Sequence, residues 1–387
     1  MIQFIIILFL FVTLNSCAQP EKIYSTIYVK DTLEINTYNT PPLKLREDLI
    51  VKINQDDYLK IDDNYNKVIL LYNLKTQDFD TIHVQKIWSQ IDAFYKVHCS
   101  YIHNLDSIYV ATNNNKILLI NQNGEVKKSW SYPHFTNEGD ALEIANDTKL
   151  YYFHNTKEIY FIQRLISKNP LKEYSNKNIV QANFDDNNSR LIKIKSFAPY
   201  YNCAYNYRSI LYPSPRLHFN NEDSLFILIY SKCDSFYVYN MNGNLKSSVP
   251  INSKYKTPFL KYDFKKAKED PLYIDKFLIE CPLVYSLLWD KYRKLYYVIY
   301  RHRINYKEEN GTVNSYIDAD FSLLIFDSNF NKLNEVVYNN NYTFSFSNPG
   351  IFVMKEGLAI GINHEFQPHL KENKLKYIIL DIDKYVN

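Results

Sequence analysis

The side chains able to do chemistry gather in the long segments between apolar runs. Residues 198–215 read Ala-Pro-Tyr-Tyr-Asn-Cys-Ala-Tyr-Asn-Tyr-Arg-Ser-Ile-Leu-Tyr-Pro-Ser-Pro, which sets Tyr200, Tyr201, Tyr205, Tyr207 and Tyr212 around Arg208. Tyrosine offers a rigid, largely apolar ring plus a hydroxyl at low entropic cost, and Tyr and Arg are typical interface anchors. The same groups stack on sugar rings or peptides, or pack the segment onto the fold beneath it. Arg301-His302-Arg303 has the donors to meet a carboxylate or phosphate bidentately, or it is a set of strand-end charges in water. Residues 131–140 add His134 and Glu138, and residues 363–372 add His364, Glu365 and His369.

Local motifs for catalysis are lacking. The sequence contains no G-x-S-x-G, H-E-x-x-H, phosphate-binding loop or EF-hand loop. His364-Glu365 has no second histidine at zinc-helix spacing. Asp56-Asp57 with Asp62-Asp63 lacks the glycine and distal glutamate of a calcium loop, and it reads as punctuation at strand turns. No catalytic residue, cofactor or metal is therefore assigned. The candidates are ligand-binding: Tyr201, Tyr205, Tyr207, Arg208, Tyr212, Arg301, His302, Arg303, His134 and His364. Histidines and carboxylates gathered on one face in three dimensions remain the route to an enzyme.

Composition limits what can position these groups. The chain has 387 residues, is 46% hydrophobic and 22% charged, and carries a formal charge of +3. That supports a sizeable core and excludes global disorder. The charge is too balanced for a nucleic-acid footprint. The 36 Tyr and 23 Phe favour strands, and the 7 Gly leave little for phosphate-cradling loops.

One phrase recurs: an acidic or Asn turn, a strand, a short polar turn, a second strand and a turn that is often Asn-Gly. The clearest copies start at Asp106, Asp223 and Lys294, with turns at Asn123-Gly124, Asn242-Gly243 and Ser328-Asn-Phe-Asn331. Asn-Gly between apolar runs signals a hairpin because both residues tolerate positive φ. Weaker copies at Tyr58, Lys149 and Gly357 bring the count to six units. The expected fold is an all-β, six-bladed β-propeller of four-stranded antiparallel blades. The last unit lacks an outermost strand, and the segment from Ile23 to Val29 is expected to supply it and close the ring. Helix is expected only at Phe264–Asp270, ended by Pro271. In a propeller, the loops entering each blade and the loops joining its second and third strands share one face. All the long segments above fall in that class, so the expected site is one composite face.

The N-terminus reads as an address. Phe4 to Val12 is unbroken apolar, too short to span a bilayer and suited to a signal peptide. Leu14-Asn15-Ser16-Cys17 resembles a bacterial lipoprotein box, although Met1-Ile2-Gln3 lacks the usual basic residue. The expected division is a signal peptide over 1–16, a lipidated tether over 17–22 and one propeller domain over 23–387. Acylated Cys17 is the expected membrane link. Cys99, Cys203, Cys233 and Cys281 are either buried thiols or bridges.

Lipobox, Asn/Tyr/Ile/Lys-rich composition and blade phrase together resemble an uncharacterised family of six-bladed, TolB-like propeller lipoproteins from Bacteroidetes. Leu288-Trp-Asp-Lys-Tyr-Arg-Lys-Leu-Tyr-Tyr is similar to that family's blade phrase of an Asp followed by a Tyr-Tyr pair. The family has no established activity, so the resemblance carries over no functional residue. It implies a place in the cell envelope, in the outer rather than the inner membrane. Ala18-Gln19-Pro20-Glu21-Lys22 lacks the acidic export run of that group, which favours the periplasmic side. The expected role is a binding or interaction module for an envelope protein, peptide or glycan, with no nucleic-acid partner. Its rivals are a hydrolase or lyase over the central channel and a structural envelope subunit.

Overall fold

The computed structural model describes residues 24–37, 45–63, 67–87, 97–145, 149–166, 177–199, 215–260, 263–315, 318–339, 350–362, 369 and 372–386. Four separate four-stranded antiparallel sheets are present among them. The first is β2–β5 (Leu45–Ile53, Asp56–Asp63, Val68–Asn73, Phe79–Ile82). The next two are β15–β18 (Arg216–Asn220, Leu225–Ile229, Ser235–Asn240, Leu245–Pro250) and β19–β22 (Leu283–Asp290, Leu295–Arg301, Phe321–Phe326, Lys332–Tyr338). The fourth joins β23–β25 (Ile351–Val353, Leu358–Gly361, Lys374–Leu380) to β1 (Val29–Asn36), which pairs antiparallel with β25.

The remaining strands form one nine-stranded sheet. It holds β6–β9 (Val97–Asn104, Ser107–Thr112, Lys116–Ile120, Val126–Ser131) and β10–β14 (Ala141–Ile144, Tyr151–Phe153, Glu158–Ile166, Lys177–Asp185, Arg190–Pro199). The arrangement is all-β and propeller-like, but it is four blades plus a larger curled sheet rather than six separate blades. The reason is local. The two halves of the large sheet meet at a single parallel bridge, Arg190 to Ser131. The first strand of the second half is split, so that β10 and β11 both pair with β12.

Strand alternation explains the packing. In β16 and β20 every residue is buried. Tyr296, Val298 and Tyr300 of β20 enter an apolar layer shared with β15–β18, while Tyr297 and Ile299 enter a layer shared with β23–β25. Side chains two apart share a face, so a sheet clasped on both sides must be apolar at every position. Similar layers join β2–β5 to the sheet of β1, β2–β5 to β6–β9, β6–β9 to β10–β14, and β12–β14 to β15–β18.

Three expectations need correction. The outermost strand paired to β25 is Val29–Asn36, whereas the preceding segment lies along β22 through Ser25 N–H to Val337 O (3.1 Å). Helix is not confined to α1 (Phe264–Glu269), which Asp263 caps through Lys265 and Lys266 N–H. It resumes after Pro271 as α2 (Tyr273–Glu280), with Phe277 and Ile279 buried, and again as α3 (Asp383–Val386). The Asp56–Asp63 acids are not turn residues but lie within β3.

The repeated turns are hairpins, as the Asn-Gly signal predicted, with different geometry. Each has the same hydrogen bonds: Asn121, Asn240 and Asp327 each accept at Oδ1 from the residue four later (3.0, 3.0 and 2.8 Å). Positive φ is confined to one residue, Gly124 (78°), Gly243 (75°) or Phe330 (66°), and a register shift follows. These are turns closed by a bulge rather than two-residue loops. A Cβ on Gly124 would sit 2.0 Å from His83 O, whereas one on Gly139 (φ 84°) meets nothing within 4 Å. Gly139→Ala is expected to cost only the left-handed strain, roughly 1–2 kcal/mol. Gly124→Ala should cost distinctly more, because its turn must also part from the His83 backbone. Urea unfolding of the two variants checks the order.

Candidate functional site

The long-loop ends of consecutive sheets meet. Asn115, between β7 and β8, donates to Pro133 O (3.1 Å) in the segment entering β10 and accepts from the N–H of Ile144 (2.9 Å), the last residue of β10. Val284, starting β19, donates to Ser231 O (2.7 Å) in the β16–β17 turn. The segment carrying α1 and α2 and the β20–β21 loop join that corner.

The structure gives Arg301 and His302 internal work. Arg301 is 6% exposed, and its Nη2 donates to the carbonyls of Leu278 (2.5 Å) and Cys281 (2.6 Å). A guanidinium there satisfies the unpaired carbonyls of the last turn of α2 and meets the negative end of its dipole. His302 is 1% exposed. Its amide donates to Asp320 O (2.8 Å), its Nε2 lies 2.7 Å from Ser322 Oγ, and its ring stacks on Tyr255 at 4.9 Å. Both side chains are thus buried and engaged within the fold rather than standing as strand-end charges in water. Arg303 is half-buried and pairs at 3.8 Å with Glu280, whose Oε1 accepts from Tyr306 N–H (3.2 Å). His134 is exposed, and its carbonyl accepts from Leu142 N–H (2.7 Å). Tyr201, Tyr205, Tyr207, Arg208, Tyr212, His364 and Cys17 lie outside the described residues.

Behind His302 stands a buried carboxylate. Glu335 accepts from Ser253 Oγ (2.6 Å), Lys254 N–H (2.9 Å) and Lys332 Nζ (2.7 Å). Burial works to raise its pKa, but Lys332, these donors and Ser322 outweigh it and hold the carboxyl below its ordinary value. Histidine, serine and glutamate thus touch in sequence. The carboxylate, however, meets the serine rather than orienting the histidine, and Ser322 is fully buried. The geometry is that of a packing network and not of an activated nucleophile.

Two features were not legible in the sequence. Lys232 is 7% exposed, with Nζ 3.9 Å over the Phe277 ring. Burial lowers its pKa to about 8, with the nearby Cys281 thiol opposing and Arg301 reinforcing the shift. Burial in turn raises the pKa of Cys281. A lysine in a β-turn gives no motif, so only the fold reveals it. Second, His103 at the end of β6 and His154 just after β11 stack at 4.9 Å and 7°, both exposed, with Tyr152 edge-on at 6.0 Å. They are far apart in sequence, and no spacing rule links them.

Among the described residues, no group of three or more His, Cys, Asp or Glu could hold a metal ion. Cys99 and Cys281 are buried, and Cys233 is disulfide-bonded.

Two hairpins stand out from the long-loop end with the same design. Phe135 bridges Ala141, and Lys307 bridges Val313. In each, the residue before the bridge accepts from the residue after it, His134 from Leu142 (2.7 Å) and Tyr306 from Asn314 (2.9 Å). Each turns on a positive-φ glycine, Gly139 or Gly311. Each also exposes an apolar side chain, Phe135 at 65% and Val313 at 55%.

Residues 50–336 match the family described as "Domain of unknown function (DUF4221)". No curated protein matches the sequence. A crystal structure of a member of the DUF4221 family from Bacteroides vulgatus superposes with a TM-score of 0.69 at 16% identity, covering 93% of this chain and 99% of that one. Virginiamycin B lyase from Staphylococcus aureus superposes at 0.42 with 10% identity, over 90% of this chain and 99% of its own. A 6-phosphogluconolactonase-like protein from Bacteroides uniformis superposes at 0.38 with 9% identity, over 82% and 77%. The last two likenesses are too distant to inform function.

Lys232 generates a prediction. The folded chain holds its amine at about 8 against an ordinary 10.5, so unfolding takes up a proton between those values. Stability contributed at this site therefore rises with pH across that window. Lys232→Met should be the more stable protein at neutral pH, by up to about 3 kcal/mol, and its advantage should shrink from pH 8 to 10.5. Urea midpoints of both proteins across that range check it. A constant difference would refute the burial penalty.

Proposed function

The chain belongs to the DUF4221 family, and on that premise we propose that it is a lipid-anchored envelope protein whose propeller acts as a binding module. Its ligand is a protein, peptide or glycan held on the long-loop face. The observation that carries this reading is the pair of congruent hairpins, each offering an exposed apolar side chain on a rigid base. Exposed apolar groups on well-supported loops mark contact surfaces. The Tyr201–Tyr212 segment, with Arg208, is the second proposed contact on this face.

We count the nine-stranded sheet as two blades, because a single bridge joins β6–β9 to β10–β14 and an apolar layer separates them. That gives six blades, with β1 completing the last. The anchor is Cys17 behind its apolar signal, on the periplasmic side of the outer membrane.

An enzyme is the alternative that one observation favours. A hydrolase or lyase needs two titratable groups within reach of one substrate, and the exposed His103–His154 stack meets that need.

Pull-down of the acylated protein from its native envelope separates the readings. Wild type is compared with Tyr205→Ala/Tyr207→Ala/Arg208→Ala and with Phe135→Ser/Val313→Ser, after circular dichroism has confirmed folding. Capture by wild type and loss in the variants is the expected result. Equal capture by all three overturns the role of this face. Turnover in a screen of envelope glycans and peptides, abolished by His103→Ala, replaces the binding module with an enzyme. Cys17→Ser should move the protein from the membrane to the soluble fraction.

A further inference from the structure

The first described residues fix where the chain leaves the fold. The Tyr24 hydroxyl donates to Asp320 Oδ2 at 3.1 Å, and Asp320 is the last residue of the β20–β21 loop. Ser25 lies against the end of β22, donating to Val337 O (3.1 Å) and accepting at Oγ from Val337 N–H (2.9 Å). The chain then crosses to the next sheet, where Tyr28 N–H donates to the Tyr385 hydroxyl (2.9 Å), and it turns back as β1. The exit therefore lies beside the loop that carries the Val313 hairpin.

Chain length makes this exit informative. Cys17 precedes Tyr24 by seven residues, and seven residues fully extended reach at most about 25 Å. The other end of β21 is the turn at Ser328. β21 has six residues and so spans roughly 20 Å.

We infer that the long-loop end of the β19–β22 sheet is turned toward the membrane that carries the acyl chains of Cys17. This rests on the proposed anchor. The short tether gives the loop end first access to the bilayer surface, because the opposite turns lie roughly 20 Å farther along the sheet. A ligand of the long-loop face is then borne by that membrane or lies against it, and the solvent-facing side of the protein is the set of bulged turns.

Energy transfer from the protein to the lipid surface tests the orientation. Val313→Cys and Ser328→Cys, both at exposed positions of this one sheet, are labelled with a donor dye. The acylated proteins are reconstituted into phosphatidylcholine vesicles containing an acceptor-labelled lipid. Cys99 and Cys281 are buried, and labelled wild type provides the blank for native thiols. The expected result is a larger acceptor-dependent loss of donor emission at position 313 than at 328. Equal loss at both, or greater loss at 328, overturns the orientation and leaves the anchor standing. Mass spectrometry of the same samples reads the anchor separately. An unmodified Cys17 would overturn both.

Discussion

The rest of the structure depends on sheets that are buried on both faces. A strand such as β20 has no polar side, since Tyr296, Val298 and Tyr300 point into one layer and Tyr297 and Ile299 into the next. Apolar burial at about 25 cal/mol per Å2 is worth most where no side chain returns to water. Polar function is thereby pushed to the strand ends. The inner strands cannot carry a site without breaking a layer that two sheets share, so the surface free to diverge is the loops and exposed outer strands such as β14 and β18.

Tyrosine reconciles such layers with a need for polar order. A buried hydroxyl must find a partner or cost free energy. Tyr297 donates to Asp290 (2.7 Å), whose other oxygen accepts from Tyr292 and Arg293 N–H (2.9 and 3.1 Å) and so closes the β19–β20 turn. Burial and Asp290 raise the Tyr297 pKa, which keeps it a donor. Asn220 plays the part of Asp290 one sheet earlier, accepting from Glu222 and Asp223 N–H while bonding the Tyr296 hydroxyl (2.6 Å). Each ring fills an apolar layer and each hydroxyl anchors a turn. The residue that makes the sequence compositionally unusual is thus the one that couples layer packing to turn geometry.

Much of this was legible because the signals are local. Runs such as Leu295–Arg301 and turns such as Asn121–Glu125 depend on neighbours in sequence, and their strands and hairpins appeared where expected. Gly124 was recognisable as a turn residue, yet the bulge that follows it depends on the twist of the paired strands. What was not legible depends on distant partners. Arg301 looked like a free cation because the helix it caps, α2, begins after a proline with Leu272 at its N-cap and no capping side chain. His103 and His154 meet because sheets β6–β9 and β10–β14 are adjacent. The bridge between Arg190 and Ser131, which turns two expected blades into one nine-stranded sheet, leaves no mark in composition.

The same division explains why this fold gives up its architecture more readily than its activity. Charged residues at the ends of strands serve two competing uses, holding loops down and meeting ligands. At the corner of β15–β18 and β19–β22 the first use dominates: Arg301 holds α2, Arg303 meets Glu280 beside the second hairpin, and Glu335 gathers Ser253, Lys254 and Lys332. A loop pinned this thoroughly keeps its shape when a ligand arrives, so little ordering entropy is lost on binding. The side chains that do the pinning are then unavailable for contact. Under the binding role proposed above, contact falls instead to the exposed Phe135 and Val313 of the two hairpins rather than to the cations that first draw attention in the sequence.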